Sequence, residues 1–269
     1  MKTDMPIEGI RDLMPWAYRQ PKPRTRGINY VRAPYIPGQG FSDLVDCYAE
    51  HIDWIKFAGQ QLTFANPKLV KDAIQACYNS DIKICVGNPP IDVSASGGKD
   101  TYKSVVDKLS VSGIDLFEIS CIARTIDDED LCEMISYAKE CGIDVIVEIG
   151  IAFAHMTPSD DELFLGRRIN QVKTAIEAGA SIILIESEGL TENRSGLPNR
   201  WNIVDSIASV CPINQIAFEA DDQDVMSKYI EIYGPKVNMF FNFTKIAQVE
   251  AARRGFGPSA FLWGKVVSF

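Results

Sequence analysis

Four glutamates stand at or near the ends of short apolar runs: Glu118 in Leu116-Phe117-Glu118-Ile119-Ser120, Glu148 in Asp144-Val145-Ile146-Val147-Glu148-Ile149-Gly150, Glu186 after Ile182-Ile183-Leu184-Ile185, and Glu219 after Gln215-Ile216-Ala217-Phe218. One helix-sized segment separates each run from the next, so parallel strands would deliver all four carboxylates to one end of one sheet. Four like charges gathered there are costly without a cation, and oxygen ligands suit a hard divalent ion such as Mg2+. Taken singly, each acid reads equally well as a helix cap or as the rim partner of a lysine. Lys56 is the matching cation. In Trp54-Ile55-Lys56-Phe57-Ala58 it alternates onto the face of Trp54 and Ala58, where it needs a carboxylate, a phosphate or a substrate carbonyl, or acts as a Schiff-base nucleophile. The bland reading is a lysine snorkelling on the outer face, which Ile55 and Phe57 suit better.

Other candidates lie in connections. His155, after the fifth run, reads as an acid or base, whereas His51, at the end of the first helical stretch, reads as a surface residue. Cys121 has no histidine beside it and reads as a small buried apolar side chain rather than a thiolate. Arg194 and Arg200, in the polar stretch 187–200, either clamp an anion or belong to a solvated loop.

The elements that must position these groups are legible. Apolar runs at 27–32, 54–58, 82–86, 116–120, 144–150, 182–186, 215–219 and 237–241 alternate with helix-length segments. This predicts an α/β fold, a single-domain (β/α)8 TIM barrel over residues 27–269 behind an extended lead-in at 1–26. Asn66-Pro67 is an N-cap followed by proline at the first helical position. Asp127-Asp128-Glu129-Asp130 supplies an acidic first turn, and Gly142 a left-handed stop. The stretch Gly87 to Gly98 reads as a proline- and glycine-bounded loop. No Gly-x-Gly-x-x-Gly follows a strand, so a Rossmann dinucleotide site is not expected.

A chain of 269 residues that is 46% hydrophobic can bury one large core, and a net charge of -9 argues against nucleic acid or an anionic membrane as partner. Seven cysteines, an odd number without a Cys-x-x-Cys pair, suit reduced thiols in the cytoplasm. Residues 1–20 contain no continuous apolar stretch, so neither a signal peptide nor a membrane span is expected.

The order Lys22-Pro23-Arg24-Thr25-x-Gly27, Ile55-Lys56-Phe57, Phe117-Glu118-Ile119-Ser120, Val147-Glu148-Ile149-Gly150, Phe218-Glu219-Ala220 and Gly234-Pro235-Lys236-Val237-Asn238 resembles the phosphosulfolactate synthase family. These barrel enzymes add sulfite to phosphoenolpyruvate with magnesium. The resemblance implies a lyase with a small-molecule substrate, Mg2+ on Glu148, Glu186, Glu219 and Glu118, and a homo-oligomer. It also makes Arg24 and Asn238, inside its motifs, substrate-binding positions beside Arg194. The departures gather in the reacting region. Ile151-Ala152 stand where the family carries a lysine pair, one member a proposed proton donor, so His155 or water would have to supply the proton. Asp221-Asp222-Gln223 replace the family's Pro-Gln-Lys, and Met239-Phe240-Phe241 its Leu-Gly-Asn. The expectation is a phosphosulfolactate synthase-like lyase in which Lys56 neutralises substrate charge. One alternative is a divergent barrel enzyme for a larger, non-phosphorylated molecule, lined by Phe153, Phe240, Phe241 and Phe243. Another is a non-catalytic relative.

Overall fold

The eight apolar runs are strands, and they close on themselves. In the computed structural model, which describes residue 13 and residues 17–34, 38–122, 126–151 and 158–255 (158–164 as backbone only), β1 (Asn29–Arg32), β2 (Trp54–Phe57), β3 (Lys83–Val86), β4 (Leu116–Ser120), β5 (Asp144–Ile149), β6 (Ile182–Ile185), β7 (Ile216–Glu219) and β8 (Asn238–Asn242) pair in order into a closed parallel barrel. Closure pairs β1 with β8, Tyr30 opposite Phe240 and Arg32 opposite Asn242. Both faces of such strands are buried, which is why the runs are almost continuously apolar.

Alternation along each strand sorts the side chains into two cores. Tyr30, Cys85, Leu116, Ile146, Leu184 and Phe240 fill the barrel interior. Val31, Ile55, Phe117, Val147, Ile183 and Phe218 point outward and pack against the helices. Register then sets depth. Glu118 lies beside Ile146 and Glu148 beside Leu184, so Glu118 sits one inward layer below Glu148. Glu186, one residue beyond the Ile149–Ile185 pair, is level with Gly150.

The helix signals act as expected. In the helix Pro67–Asn79 the Asn66 side chain accepts the Lys68 amide hydrogen and proline occupies the first turn, a cap that contributes about 1 kcal/mol. The helix Asp128–Glu140 starts on three acids, and Gly142 follows it at φ 78°. Two helices are unexpected. Pro89–Ser96 forms where a loop is predicted, because its paired prolines suit a helix start and Ile91 gains a buried position. Gly59–Phe64 forms because the Gln61 side chain returns to accept the Ala58 amide hydrogen at 2.8 Å, a cap without an Ser, Thr, Asn or Asp signal.

The described part of the lead-in folds under the amino-terminal end of the barrel. Lys22 Nζ donates to the carbonyls of Ala49, Ile52 and Ser80 at 2.9, 2.9 and 2.6 Å. Among the described residues no helix is long and apolar enough to cross a membrane.

Candidate active site

The carboxyl ends of the strands gather the predicted acids. From β5, β6 and β7, Glu148, Glu186 and Glu219 each present an oxygen such that the three atoms lie within 4.8 Å of one another. Their approach depends on a missing side chain. A Cβ on Gly150 would stand 2.5 Å from Glu186 Cβ, so the glycine that ends the β5 motif makes room for the neighbouring acid. Asn88, just before the unexpected helix Pro89–Ser96, donates to Glu148 Oε2 at 2.8 Å.

Glu118 does not join this trio. It lies deeper and fully buried, where it accepts the Tyr30 hydroxyl at 2.6 Å and forms an ion pair with Lys56 Nζ. Lys56 therefore points inward, its ammonium 4.7 Å from the Phe240 ring centre. Gly87 gives it passage, since a Cβ there would meet Lys56 Cε at 2.8 Å. Burial works to lower the Lys56 pKa, but Glu118 and Glu148 outweigh it, and the ammonium is held above its ordinary value. This pairing suits a charged lysine facing Glu118 and Glu148. Burial raises the pKa of Glu118 against the pull of Lys56.

Arg32, the last residue of β1, is a second inward cation absent from the sequence reading. It pairs with Glu219, reaches Asp221 Oδ2 at 2.6 Å, and covers the Phe240 ring at 4.7 Å. The signal was available: two residues beyond Tyr30 on a strand, Arg32 shares its inward face. Five carboxyl groups, those of Glu118, Glu148, Glu186, Glu219 and Asp221, thus face two cations. The imbalance falls on Glu186. Burial, followed by Glu219 and Glu148, pushes its pKa up to about 11.

A cleft of about 720 Å³ opens between the connections after β6 and β7, lined among others by Glu192, Arg194 and Asp221 and by none of the trio. Glu192 Oε1 accepts the consecutive backbone amide hydrogens of Asp221 and Asp222 at 2.8 and 2.7 Å, and Oε2 accepts the Ser187 hydroxyl at 3.0 Å. Consecutive amides at a helix start form an anion nest, and the barrel's usual phosphate site lies in this quarter. The chain's own carboxylate fills it. The Asp222 side chain caps the same helix, Gln223–Tyr233, by accepting from Asp224 and Val225.

The other predicted residues fall elsewhere. Arg24 and Asn238 lie at the opposite, amino-terminal end, where structure consumes their hydrogen bonds. Arg24 pairs with Asp53 at 3.0 Å and donates to the Gln20 and Glu50 carbonyls. Asn238 accepts from the Ile28 amide and donates to the Asn214 and Ile216 carbonyls. Neither reaches the carboxylates. Arg194 turns back on its own loop, donating to Pro198 and Gly189 carbonyls at 3.1 and 3.0 Å, and so meets the cleft rather than the trio. His51 is not a plain surface residue, since its Nδ1 lies 3.7 Å from Glu250 Oε2 at the amino-terminal end. Cys121 is buried and its thiol is pushed up to about 12, which fits the apolar role. Of the proposed aromatic lining, Phe240 faces the interior, while Phe241 and Phe243 pack outward with the helices. Ile151, at the family's lysine position, is fully buried in that outer core. His155 and Phe153 lie outside the described residues.

A family model described as (2R)-phospho-3-sulfolactate synthase (ComA) matches residues 17–257. A phosphosulfolactate synthase of Methanocaldococcus jannaschii is 27% identical over 249 residues, 90% of this chain and 95% of the relative. Protein HEAT-STRESS-ASSOCIATED 32 of Arabidopsis thaliana is 21% identical over 255 residues, 87% and 88% of the two chains. Among solved structures, a 3-hexulose-6-phosphate synthase from Salmonella typhimurium superposes with a TM-score of 0.57 at 14% identity, covering 89% of this chain and 98% of its own. That likeness concerns the barrel fold alone.

Proposed function

We propose, for a chain that belongs to the (2R)-phospho-3-sulfolactate synthase family, a magnesium-dependent lyase-type reaction in which a nucleophile adds to an unsaturated or enolisable carboxylic acid that carries no phosphate. The observation that carries this reading is the meeting of Glu148, Glu186 and Glu219. Their chemistry fits a hard divalent ion: all donors are oxygens, and burial together with the neighbouring carboxylates of Glu219 and Glu148 raises the pKa of Glu186, a crowding that a cation would relieve. When bound, the ion would polarise a carboxylate or enolate oxygen of the substrate.

The chain's own residues supply the rest. Lys56 and Arg32 place two permanent charges beneath and beside the trio, and Phe240 packs under both. Their pairing with Glu118, Glu219 and Asp221 leaves little positive potential for a phosphorylated acid. Glu192 on the Asp221 and Asp222 amides closes the neighbouring anion nest. His155 or a water molecule would deliver the proton, and a homo-oligomer is part of the same proposal on family grounds.

The test is turnover of sulfite by the purified protein with Mg2+ and, in parallel, phosphoenolpyruvate and a panel of phosphate-free 2-oxo and 2,3-unsaturated acids. Magnesium-dependent consumption with a phosphate-free acid is expected. Formation of phosphosulfolactate from phosphoenolpyruvate would refute the phosphate-free assignment, and failure of Glu148→Gln to weaken Mg2+ binding in calorimetry would refute the metal site. A second reading, a barrel kept without catalysis, draws on the likeness to the Arabidopsis protein and on the apolar Ile151. Full function of Glu148→Gln in its host would favour it.

A further inference from the structure

Among the described residues Arg32 is the one cation that forms an ion pair with a member of the trio, while Lys56 gives its contact to Glu118 below. Register explains the reach. Arg32 ends β1 opposite Asn242 of β8, and Glu219 ends β7 opposite Phe240 of the same strand. To meet Glu219 the arginine must cross β8, and it does so over the Phe240 ring, its guanidinium carbon 4.7 Å from the ring centre. A flat, weakly hydrated guanidinium suits that crossing, because it can lie on a ring and still offer two arms.

The two arms meet different partners. Nη1 goes to Asp221 Oδ2 at 2.6 Å, and Asp221 is itself anchored: its Oδ1 accepts the Asn242 amide hydrogen at 2.6 Å, and its own amide donates to Glu192 at 2.8 Å. Nη2 goes to Glu219, whose side chain is 8% exposed against 26% for that of Arg32. One arm is thus held at the rim, and the other stands on a carboxylate of the candidate metal site. Part of the trio's negative charge is met by the chain itself.

We propose that Arg32 is an internal counter-ion that sets the affinity of the trio for a divalent cation, holding Glu219 and opposing the charge of an incoming ion. The inference rests on the reading of Glu148, Glu186 and Glu219 as a metal site. Arg32 acts through Glu219 and is a positioning residue. Removing its charge removes a repulsion that acts over a few ångströms in a shielded mouth, where charges are screened less than in water. Removing a side chain that only props Glu219 in place would do the reverse and weaken the binding of the ion.

Calorimetric titration of the full chain with Mg2+ at fixed pH and ionic strength tests it, beside the rise in Tm that Mg2+ produces. Arg32→Met is expected to bind about tenfold tighter than the wild type and to gain more in Tm from the ion. Arg32→Lys, which keeps the charge, should stay within about threefold of the wild type. Asp221→Asn, which leaves the arginine in place and turns it wholly to Glu219, should bind more weakly, and it carries the test should Arg32→Met not fold. The inference is overturned if the wild type binds Mg2+ and Arg32→Met binds no tighter, if Arg32→Lys tightens as Arg32→Met does, or if Asp221→Asn tightens. Absence of Mg2+ binding in the wild type and in every variant would instead remove the metal site itself, and this inference with it.

Discussion

Replacing Glu186 by glutamine should make the metal-free protein more resistant to alkali. Glu186 stands between Glu219 and Glu148, and burial with these neighbours raises its pKa from 4.5 to about 11. The folded chain keeps this proton through neutrality, whereas the unfolded chain releases it above the ordinary glutamate value. Its contribution to stability is therefore fully present below about pH 4.5 and is lost progressively as pH rises toward 11. Each pH unit in that window removes about 1.4 kcal/mol. Between pH 5 and pH 9 the full effect is about 5 kcal/mol, and solvent screening of a partly buried side chain brings the expectation to about 3–5 kcal/mol. Glutamine keeps the shape and cannot ionise. Urea unfolding of both proteins in a chelator at pH 5, 7 and 9 measures the difference, which should shift by that amount in favour of Glu186→Gln at high pH. Saturating Mg2+, competing with the proton for the same carboxylate, should flatten the slope of the wild type. Parallel profiles within about 1 kcal/mol would refute the placement of a shared proton on this trio.

Two further outcomes follow from the same geometry. Lys56→Met strands a fully buried Glu118 with only the Tyr30 hydroxyl, at a cost of about 3–5 kcal/mol near neutral pH. A fall in Tm of about 6–15 °C is expected, and thermal unfolding should show it shrinking toward acid pH, where Glu118 takes a proton, and largely reversed in Lys56→Met, Glu118→Gln. Gly150→Ala places a Cβ 2.5 Å from Glu186 Cβ and 2.9 Å from Ile122 Cδ1. It should cost about 1–3 kcal/mol by overpacking and weaken Mg2+ binding in calorimetry, and a variant with wild-type affinity would show that Gly150 does not set the trio's spacing.

The fold was readable because its signals are local. Asn66-Pro67 caps a helix by contacts two residues away, and Gly142 stops one by its own φ. The helix Pro89–Ser96 was missed because its Ser and Gly surroundings carry turn chemistry, while the contact that secures it, the burial of Ile91, is not local. The acids were readable for a related reason. A glutamate closing an apolar run can only lie at the strand's carboxyl end, and period-two alternation turns it inward. The same rule placed Lys56, and it would have placed Arg32.

Sequence alone therefore pointed to the barrel and to one end of it as the meeting place of four acids, Glu118, Glu148, Glu186 and Glu219. Tertiary structure decided what each charge does. It sank Glu118 one layer to pair with Lys56, spent Arg32 on Glu219 and Asp221, put Glu192 into the anion nest, and sent Arg24 and Asn238 to the opposite end. Arg32 and Glu219 are 187 residues apart along the chain and Tyr30 and Glu118 are 88 apart. Strand order, register and barrel closure bring such pairs together, and no short-range pattern encodes a contact whose two halves are joined only by the closing of the sheet.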